Sequence, residues 1–308
     1  LTHLLYMDDI KLFAQDNNKL KSLLAVAKQF SDDIRMSFGL DKCAISTVKH
    51  GRLVQNSAES NVIGISPLED SYKYLGMHQT QTLNTKDIKE RFRKDFYRRL
   101  TLLLRTKLNA YNMVKAINTY CASALFYSFG VIPWTETDLE AIKTRQRVLL
   151  TQYRYHHPKS ATERLYLPRR EGGRGLVDIH NVCDAQVNNI RDYFQSRAQS
   201  STLHRIVCRA DEGLTGIDLS SEHRRELTTK ATLKQTWASK ALHGRYFKEL
   251  SNNDREASVQ YLNAISGLFP ETEGFIHAIQ DQTVATKNYR KHIIKDGTED
   301  DKCRMCGS

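Results

Sequence analysis

The sequence lacks the features that mark secreted and membrane-spanning proteins. Its six cysteines, four of them widely spaced, do not form the dense pattern of a disulfide framework in 308 residues. It contains no Asn-x-Ser/Thr acceptor, no visible signal peptide and no uninterrupted apolar run that approaches membrane-spanning length. These absences exclude a helical membrane span and favour a reducing intracellular environment. Internal repeats and low-complexity tracts are also missing.

Positive charge is abundant, and it is concentrated in two stretches. The formal net charge is +11 and the pI is about 9.3. Residues 86–107 contain nine Lys or Arg and three Asp or Glu, whereas residues 143–175 contain nine and two. The rest of the chain therefore carries a small net negative charge. This concentration predicts a basic surface that attracts a polyanion, although two well-solvated helix faces would give the same counts.

The most informative local pattern is Tyr6-Met7-Asp8-Asp9, which lies between two apolar runs. The period-2 alternation on both sides predicts a β-hairpin with Asp-Asp at its tip. Two adjacent carboxylates repel each other and suit a tight turn poorly, and a bound cation would relieve both problems. Hard divalent ions such as Mg²⁺ take carboxylate oxygens and keep positions open for phosphate. The alternative is an ordinary solvated acidic turn.

The rest of the chain predicts an α+β fold in which a mixed region precedes a long helical one. Asp16 or Asn17 can cap a helix that Gly39 would end in a left-handed conformation. Strands are expected over 43–48, over 62–65 and, with a bend at Gly76, over 72–77. The predicted helices span 86–107, 111–129, 136–155, 180–199, 221–249, 252–266 and 281–295. Pro133 separates the second and third of these, and Thr135 begins a capping box. Residues 156–175 are expected to form a non-helical linker.

The order of these elements resembles the second half of a reverse transcriptase. The Asp-Asp hairpin, a helix, Phe38-Gly39-Leu40-Asp41-Lys42-Cys43 and Tyr72-Lys73-Tyr74-Leu75-Gly76 follow one another as in that family's palm. The segment 164–176 resembles the post-thumb region of non-LTR (LINE-type) retrotransposon polymerases with a restriction-like endonuclease. The resemblance implies part of a palm with its primer grip over 1–80, a helical thumb over 81–155, a linker and helical region over 156–302, and the start of a zinc knuckle over 303–308.

The resemblance implies a two-metal polymerase site. Asp8 would be a Mg²⁺ ligand, and Asp9 a second ligand or its support. The third carboxylate would come from a palm strand that precedes this hairpin in the family and is not in the chain. Lys42 would act as general acid toward the leaving pyrophosphate, or it is a surface lysine. Another adjacent pair of aspartates, Asp32 and Asp33, fits a solvated helix face.

Two further sets of residues are implied to contact nucleic acid. The primer would meet Tyr6 and Met7 at the hairpin tip and Tyr74, Leu75 and Gly76 in the primer grip. Core packing is the alternative for Tyr6. Four basic residues of the first predicted helix, Arg91, Lys94, Arg98 and Arg105, are spaced close to one face and could follow a phosphate backbone. Four linker arginines could hold RNA or DNA, or could pair with nearby acids: Arg164, Arg169, Arg170 and Arg174.

The C-terminal Cys303-Arg304-Met305-Cys306 has the ligand spacing of half a zinc site. The resemblance implies that the other two ligands follow Ser308, so Zn²⁺ is expected only in the full-length parent protein. His156 and His157 precede a proline, and adjacent histidines at a bend rarely converge on one ion. Because both ends of the chain look cut, the sequence is expected to be a fragment.

The function that these expectations describe is RNA-directed DNA synthesis in target-primed reverse transcription. The partners would be an RNA template, a DNA primer or target and dNTP, with no membrane and with a nuclear location. The fragment alone is expected to be inactive, because the third carboxylate lies outside it. The alternative is a catalytically dead remnant or a co-opted domain that only binds nucleic acid.

Overall fold

The computed structural model describes residues 1–50, 52–54, 65, 68, 71–79, 84–212, 215–263, 267–303 and 305–307. The chain divides into two compact units, Leu1–Ile88 and Lys89–Ser308. Together they contain antiparallel hairpins and many helices, so the predicted α+β class is confirmed at that level. In the part of the chain that the structure describes, no helix combines the length and the apolar character needed to cross a membrane.

The described part of the first unit consists of one helix and three two-stranded antiparallel hairpins. The hairpins are β1 (His3–Tyr6) with β2 (Asp9–Leu12), β3 (Val48–Lys49) with β4 (Arg52–Leu53), and β5 (Tyr72–Tyr74) with β6 (Met77–Gln79). The helix is α1 (Asn17–Asp33), and its start confirms the predicted cap, because Asp16 accepts a hydrogen bond from the Lys19 amide.

The end of α1 differs from the prediction that Gly39 stops the helix. The helix ends at Asp33 because Arg35 adopts a left-handed conformation with φ of 57°. The amides of Arg35 and Met36 then turn back to the carbonyls of Asp32 and Ser31. Gly39 itself has a negative φ and precedes a single 3-10 turn. Because the chain turns back at Arg35, carbonyl groups in the last turn of the helix find hydrogen-bond donors, and no glycine is needed at the helix end.

The strand predicted over 43–48 is wrong for most of its length. Residues 40–42 form a 3-10 turn, Ile45 makes an isolated bridge, and only Val48 begins a strand. Cys43 and Ile45 alternate inward because they pack against a small core around Leu24 and Ile65, and this packing does not require a continuous ladder. Of the strand predicted over 62–65, only Ile65 lies within the described residues.

The segment 72–77, predicted as one bent strand, forms the β5–β6 hairpin. Tyr74 pairs with Met77, so Leu75 and Gly76 form a two-residue turn. Both turn residues have positive φ, 45° and 75°. A turn of this kind matches the right-handed twist of the strands, and glycine adopts it without a side-chain penalty.

The helices that follow are α2 (Thr85–Leu104), α3 (Ala110–Ala116), α4 (Ala122–Phe129), α5 (Glu136–Gln152), α6 (Glu163–Tyr166), α7 (Ile179–Ala198), α8 (Thr202–Ala210), α9 (Lys230–Ser239), α10 (Arg245–Glu249), α11 (Asn252–Asn263), α12 (Pro270–Gln280) and α13 (Lys287–Tyr289). The predictions over 86–107, 136–155 and 180–199 are confirmed to within a few residues. The prediction over 111–129 corresponds to α3 and α4 joined by a π turn at Ile117–Cys121. The predicted capping box at Thr135 is confirmed.

Two predicted helices are wrong in extent. The stretch 221–249 contains α9 and α10, but residues 221–229 are not helical. Side chains of α7 hold that segment: Asn181 exchanges two hydrogen bonds with the backbone of Thr228, and Asn188 does the same with Arg225. The helix predicted over 281–295 is represented by α13 and a π turn at Arg290–Ile294. Helices α8 and α12 were not predicted, and the stretch 156–175, predicted to be non-helical, contains the short helix α6 and a 3-10 turn at Arg169–Glu171.

The stretch predicted as a linker, 156–175, lies in the interior of the second unit. Its residues Ala161 and Leu167 are fully buried and pack with Trp237 and Leu262. Trp237 stacks on Tyr246, with ring centroids 5.4 Å apart. The second unit therefore includes both the stretch predicted as thumb and the stretch predicted as linker.

Candidate active site

The Asp-Asp hairpin forms, but its turn lies one residue earlier than predicted. Tyr6 pairs with Asp9, so Met7 and Asp8 are the two turn residues and Asp9 begins β2. Met7 takes the left-handed conformation with φ of 53°, and its side chain is 87% exposed. The antiparallel register decides this position, because it places Leu5 opposite Ile10 and Leu4 opposite Lys11. Tyr6 is exposed too, so it does not pack in a core here.

Asp8 and Asp9 are adjacent, exposed carboxylates. Neither forms an ion pair with any of the residues that the structure describes. Their oxygens are the donor type that Mg²⁺ prefers, and their like charges favour a cation between or beside them. Among the described residues, no cluster of three or more His, Cys, Asp or Glu could hold a metal ion. The two aspartates therefore fit a hard cation in chemistry, and two carboxylates are fewer ligands than such an ion takes.

Lys11 joins this hairpin to the β5–β6 hairpin. Its ammonium donates to the Gln79 side chain at 2.9 Å and lies 5.3 Å from the centre of the Tyr74 ring. The pKa of Tyr72 is raised, first by burial, then by the Cys43 thiol and by Asp9. The predicted metal-binding turn and the predicted primer grip are thus neighbours in the first unit.

Lys11 was not among the predicted site residues. It lies two positions after Asp9 in β2, so the pleat of the strand puts both on one face. That face also carries Tyr6 and Leu4 through the cross-strand register. In the sequence, the signal was a lysine within the apolar run 10–14. What this lysine contacts becomes visible only with the β5–β6 hairpin in place.

Lys42 is exposed at the end of the 3-10 turn. Its neighbour Cys43 packs against the small core of the first unit, and burial followed by Asp41 raises the pKa of that thiol. Cys43 is also one of the groups that raise the pKa of Tyr72 in β5. The segment of Lys42 is therefore close to the β5–β6 hairpin, and among the described residues no hydrogen bond or ion pair joins Lys42 to Asp8 or Asp9.

The basic residues predicted on the first helix are exposed. Helix α2 buries Phe96 and Leu100, and the opposite side presents Arg91, Lys94 and Arg98, with Arg105 just beyond its end. Arg98 donates to Asp95 at 2.6 Å. Burial alone would raise the pKa of Asp95, but hydrogen bonds from Arg98 and Arg99 lower it. Lys94 lies 3.6 Å from Glu90, and Arg105 donates to the Tyr153 hydroxyl at 3.2 Å.

The structure corrects the expectation for the linker arginines, beginning with Arg164. Its guanidinium is fully buried and pairs with Asp281 at 3.1 Å. It also donates to the Gly172 carbonyl at 2.9 Å and lies 4.8 Å from the Trp237 ring. A nucleic acid could not reach this group without unfolding of the surrounding core.

Arg169 and Arg174 share one buried acid, Glu273. Arg169 holds it through two hydrogen bonds of 2.6 and 3.1 Å, and Arg174 lies 3.6 Å from it and 4.1 Å from the Tyr155 ring. These arginines match the alternative that they pair with acids, but in a core and not in a surface loop. Arg170 alone of the four points to solvent.

The remaining predicted ligands lie at the end of the chain. Cys303 and Cys306 are exposed, and the Met305 amide donates to the Cys303 sulfur at 3.4 Å. A cysteine thiolate that binds a metal ion can accept a hydrogen bond of this kind from a backbone amide. His156, in contrast, is buried in the core, and burial followed by Arg174 lowers its pKa to about 3. Asp32 and Asp33 are exposed at the end of α1, as predicted.

Comparison of the chain with protein-family models, with curated proteins and with solved structures found no match.

Proposed function

We propose that the chain is part of an RNA-directed DNA polymerase of the non-LTR retrotransposon type. The observation that carries the proposal is the neighbourhood of two hairpins that are distant in sequence. The turn with Asp8 lies in one, the turn with Gly76 in the other, and Lys11 links them. In the reverse transcriptase palm that the sequence resembles, the first of these turns binds the metal ions and the second contacts the primer end. Target-primed synthesis would take RNA template, DNA primer and dNTP, in the nucleus.

The roles follow from the side chains at these turns. Asp8 and Asp9 would hold Mg²⁺, which when bound would supply charge stabilisation to the attacking and leaving oxygens. Met7 and Tyr6 are exposed beside the carboxylates, where they could contact the primer end. The backbone at Gly76 has no side chain in the way of a primer strand. Lys42 is exposed and could protonate the leaving pyrophosphate.

A second candidate function is nucleic-acid binding without polymerisation. The observation that favours it is the exposed basic side of α2, which does not depend on either aspartate. Arg91, Lys94 and Arg98 can each neutralise a phosphate irrespective of base sequence. The two functions differ in one requirement, because only the polymerase needs a divalent cation at Asp8 and Asp9.

The experiment that tests the polymerase is a metal titration followed by primer extension. Mn²⁺ replaces Mg²⁺ as an observable probe, and the free ion is measured by electron paramagnetic resonance in the presence of a primer–template duplex. Asp8→Asn should weaken Mn²⁺ binding at least tenfold, since one of two carboxylates is lost. The matched control is Asp32→Asn, which changes another Asp-Asp pair, at the end of α1, and should leave Mn²⁺ binding unchanged.

Equal Mn²⁺ binding by Asp8→Asn and by the unchanged chain would overturn the metal assignment. Primer extension on homopolymer RNA with Mg²⁺ then addresses activity. We expect no dNTP incorporation by these 308 residues alone, and incorporation by a polypeptide that adds the third carboxylate. Robust incorporation by the chain itself, abolished in Asp8→Asn, would support the polymerase and overturn the need for a further carboxylate.

A further inference from the structure

Two tyrosines on the helical run α3–α4 expose their rings beside α2. Tyr120 belongs to the π turn Ile117–Cys121 and is 48% exposed, and Tyr127 lies in α4 and is 54% exposed. They are two helical turns apart, which separates them by about 10 Å along the axis. The opposite side of the same run is buried through Leu125 and Phe129. The exposure of both rings is therefore a property of one helix face.

Side chains of α2 lie beside both rings. The guanidinium of Arg99 lies 4.8 Å from the centre of the Tyr120 ring, and it donates to the Tyr120 carbonyl at 3.0 Å. Near the other tyrosine, the Phe92 ring lies 6.5 Å from Tyr127, and the Arg91 guanidinium is 5.4 Å from that Phe92 ring. Each tyrosine thus lies next to the part of α2 that carries the predicted phosphate-binding side chains.

The π turn that carries Tyr120 is held in place from within the second unit. Asn118 donates to the Gly175 carbonyl at 2.8 Å and accepts from the Val177 amide at 2.9 Å. Helical segments of this type occur often at functional sites, because the extra residue changes the direction of a side chain. The contact with residues 175–177 orders the turn before any ligand arrives, which lowers the entropic cost of binding on Tyr120.

We infer that Tyr120 and Tyr127 stack on unpaired bases of a single-stranded nucleic acid, while Arg91, Lys94 and Arg98 bind its phosphates. The inference rests on the nucleic-acid binding in the proposed function, and it adds that the bound nucleic acid is single-stranded. Exposed aromatic rings next to a basic helix match the alternation of bases and phosphates. A duplex offers the phosphates but keeps the faces of its bases stacked within the helix, so the tyrosines would add little to duplex binding.

The test compares a fluorescein-labelled single-stranded oligonucleotide with the same sequence as a duplex, by fluorescence anisotropy on the whole chain. Tyr120→Ala and Tyr127→Ala should each weaken single-strand binding about tenfold and leave duplex binding nearly unchanged. Tyr120→Phe should retain the affinity, because the ring remains. An oligonucleotide with abasic sites should bind all of these variants equally well.

Tyr193 supplies the matched control. It is also 48% exposed and has the Arg197 guanidinium 4.7 Å from its ring, but it lies on α7, outside the basic stretch 86–107. Tyr193→Ala should leave both affinities unchanged. Thermal unfolding of each variant verifies that the exposed substitutions preserve the fold.

The failure of this inference is distinguishable from the failure of the proposed function. Arg98→Gln should lower the slope of log affinity against log salt concentration by about one, both for the single strand and for the duplex. The tyrosine variants should not change this slope. If Arg98→Gln acts as expected but the tyrosine variants bind the single strand like the unchanged chain, the stacking role is wrong and the binding function stands. If the affinity does not depend on salt at all, the phosphate contacts fail as well.

Discussion

The two units of the chain use their side chains in opposite ways. In the described part of the first unit, large apolar residues of the first hairpin and of α1 are exposed, among them Leu5, Met7 and Phe30. The second unit buries aromatic residues and even whole arginines, among them Arg164 and Arg174. The first unit therefore has its candidate functional side chains on exposed turns. The second unit has a dense core that contains buried ion pairs.

The comparison teaches that arginine density does not identify a binding surface. Arg98 and Arg164 both belong to basic stretches of the sequence, but the first is exposed and the second is enclosed. The difference lies in the acids. Arg98 has Asp95 one helical turn away, whereas Arg164 meets Asp281 from a distant helix end. In this comparison, the buried arginine meets an acid from a distant part of the chain, and the exposed one meets an acid of its own helix.

The largest expected effect comes from removing the acid that balances Arg164. In Asp281→Ala, the guanidinium of Arg164 would stay buried without its charge partner, and the Ala161 amide would lose its acceptor. Loss of one member of a buried pair typically costs about 3–5 kcal/mol. Urea unfolding followed by Trp237 fluorescence measures the change, since that ring lies against Arg164.

The exposed pair between Arg224 and Asp192 supplies the control for this substitution. Its N–O distance of 2.9 Å is as short as that of the buried pair, but both side chains are exposed. Asp192→Ala should therefore cost only about 0–1 kcal/mol. Equal losses for Asp192→Ala and Asp281→Ala would show that burial does not strengthen the dependence on the partner charge.

The second prediction is a loss of stability of the second unit in mild acid. The pKa of His156 is lowered to about 3 by burial, then by Arg174, and the pKa of His277 is lowered by burial, then by Arg164. Each ring takes a proton near pH 6.5 only when the chain unfolds. The free energy of unfolding should therefore fall as pH drops below about 6.5, by about 1.4 kcal/mol per pH unit for each ring.

Urea unfolding at pH 6 and pH 5 measures this slope before most carboxylates titrate. His156→Asn should lower the slope by about 1.4 kcal/mol per pH unit, whatever its effect on absolute stability. Between pH 7 and pH 8 histidine is mostly neutral in the folded and in the unfolded chain. The free energy of unfolding should therefore change with pH in the same way for His156→Asn and for the unchanged chain in this range. Equal slopes in the acidic range would mean that His156 is protonated in the folded chain.

The parts of the fold that local chemistry determines could be predicted from the sequence. Asp16 and Thr135 cap helices because their side chains reach an amide three residues ahead. The Asp-Asp hairpin follows from alternation over a few residues. Within the candidate site, the Asp-Asp hairpin was therefore predicted, but not the position of its turn, since cross-strand register decides it. The turn at Leu75 and Gly76 was expected only as a bend within one strand.

Features that depend on distant partners could not be predicted in this way. Residues 221–229 have a helical composition, but Asn181 and Asn188 bind their backbone and keep it extended. The contact between Lys11 and Gln79 spans 68 positions, so no local pattern contains it. The same reason explains Arg164 and Arg169, whose acids lie more than a hundred positions away.

The third prediction applies one substitution to each unit. Leu100 is fully buried in α2, whereas Leu24 in α1 is 9% exposed and has mostly half-buried neighbours. Leu100→Ala should leave a cavity that cannot collapse, and Leu24→Ala one that its neighbours can partly fill. We expect the first to cost about 2 kcal/mol more than the second. Hydrogen exchange of amides in the same helix measures each loss, and a larger cost for Leu24→Ala would reverse the comparison of the two cores.

The smallest expected effect concerns the link between the two hairpins of the candidate site. Lys11→Met removes the hydrogen bond to Gln79 and the cation over the Tyr74 ring while it keeps the length of the side chain. Such contacts on a half-exposed surface contribute about 0.5–1 kcal/mol. Amides of Met77–Gln79 should then exchange a few times faster with solvent. Lys73→Met, which changes an exposed lysine in β5 itself, is the matched control and should leave the exchange unchanged. Because the proposed active site depends on the proximity of the two hairpins, equal exchange in both variants would mean that Lys11 does not hold the hairpins together.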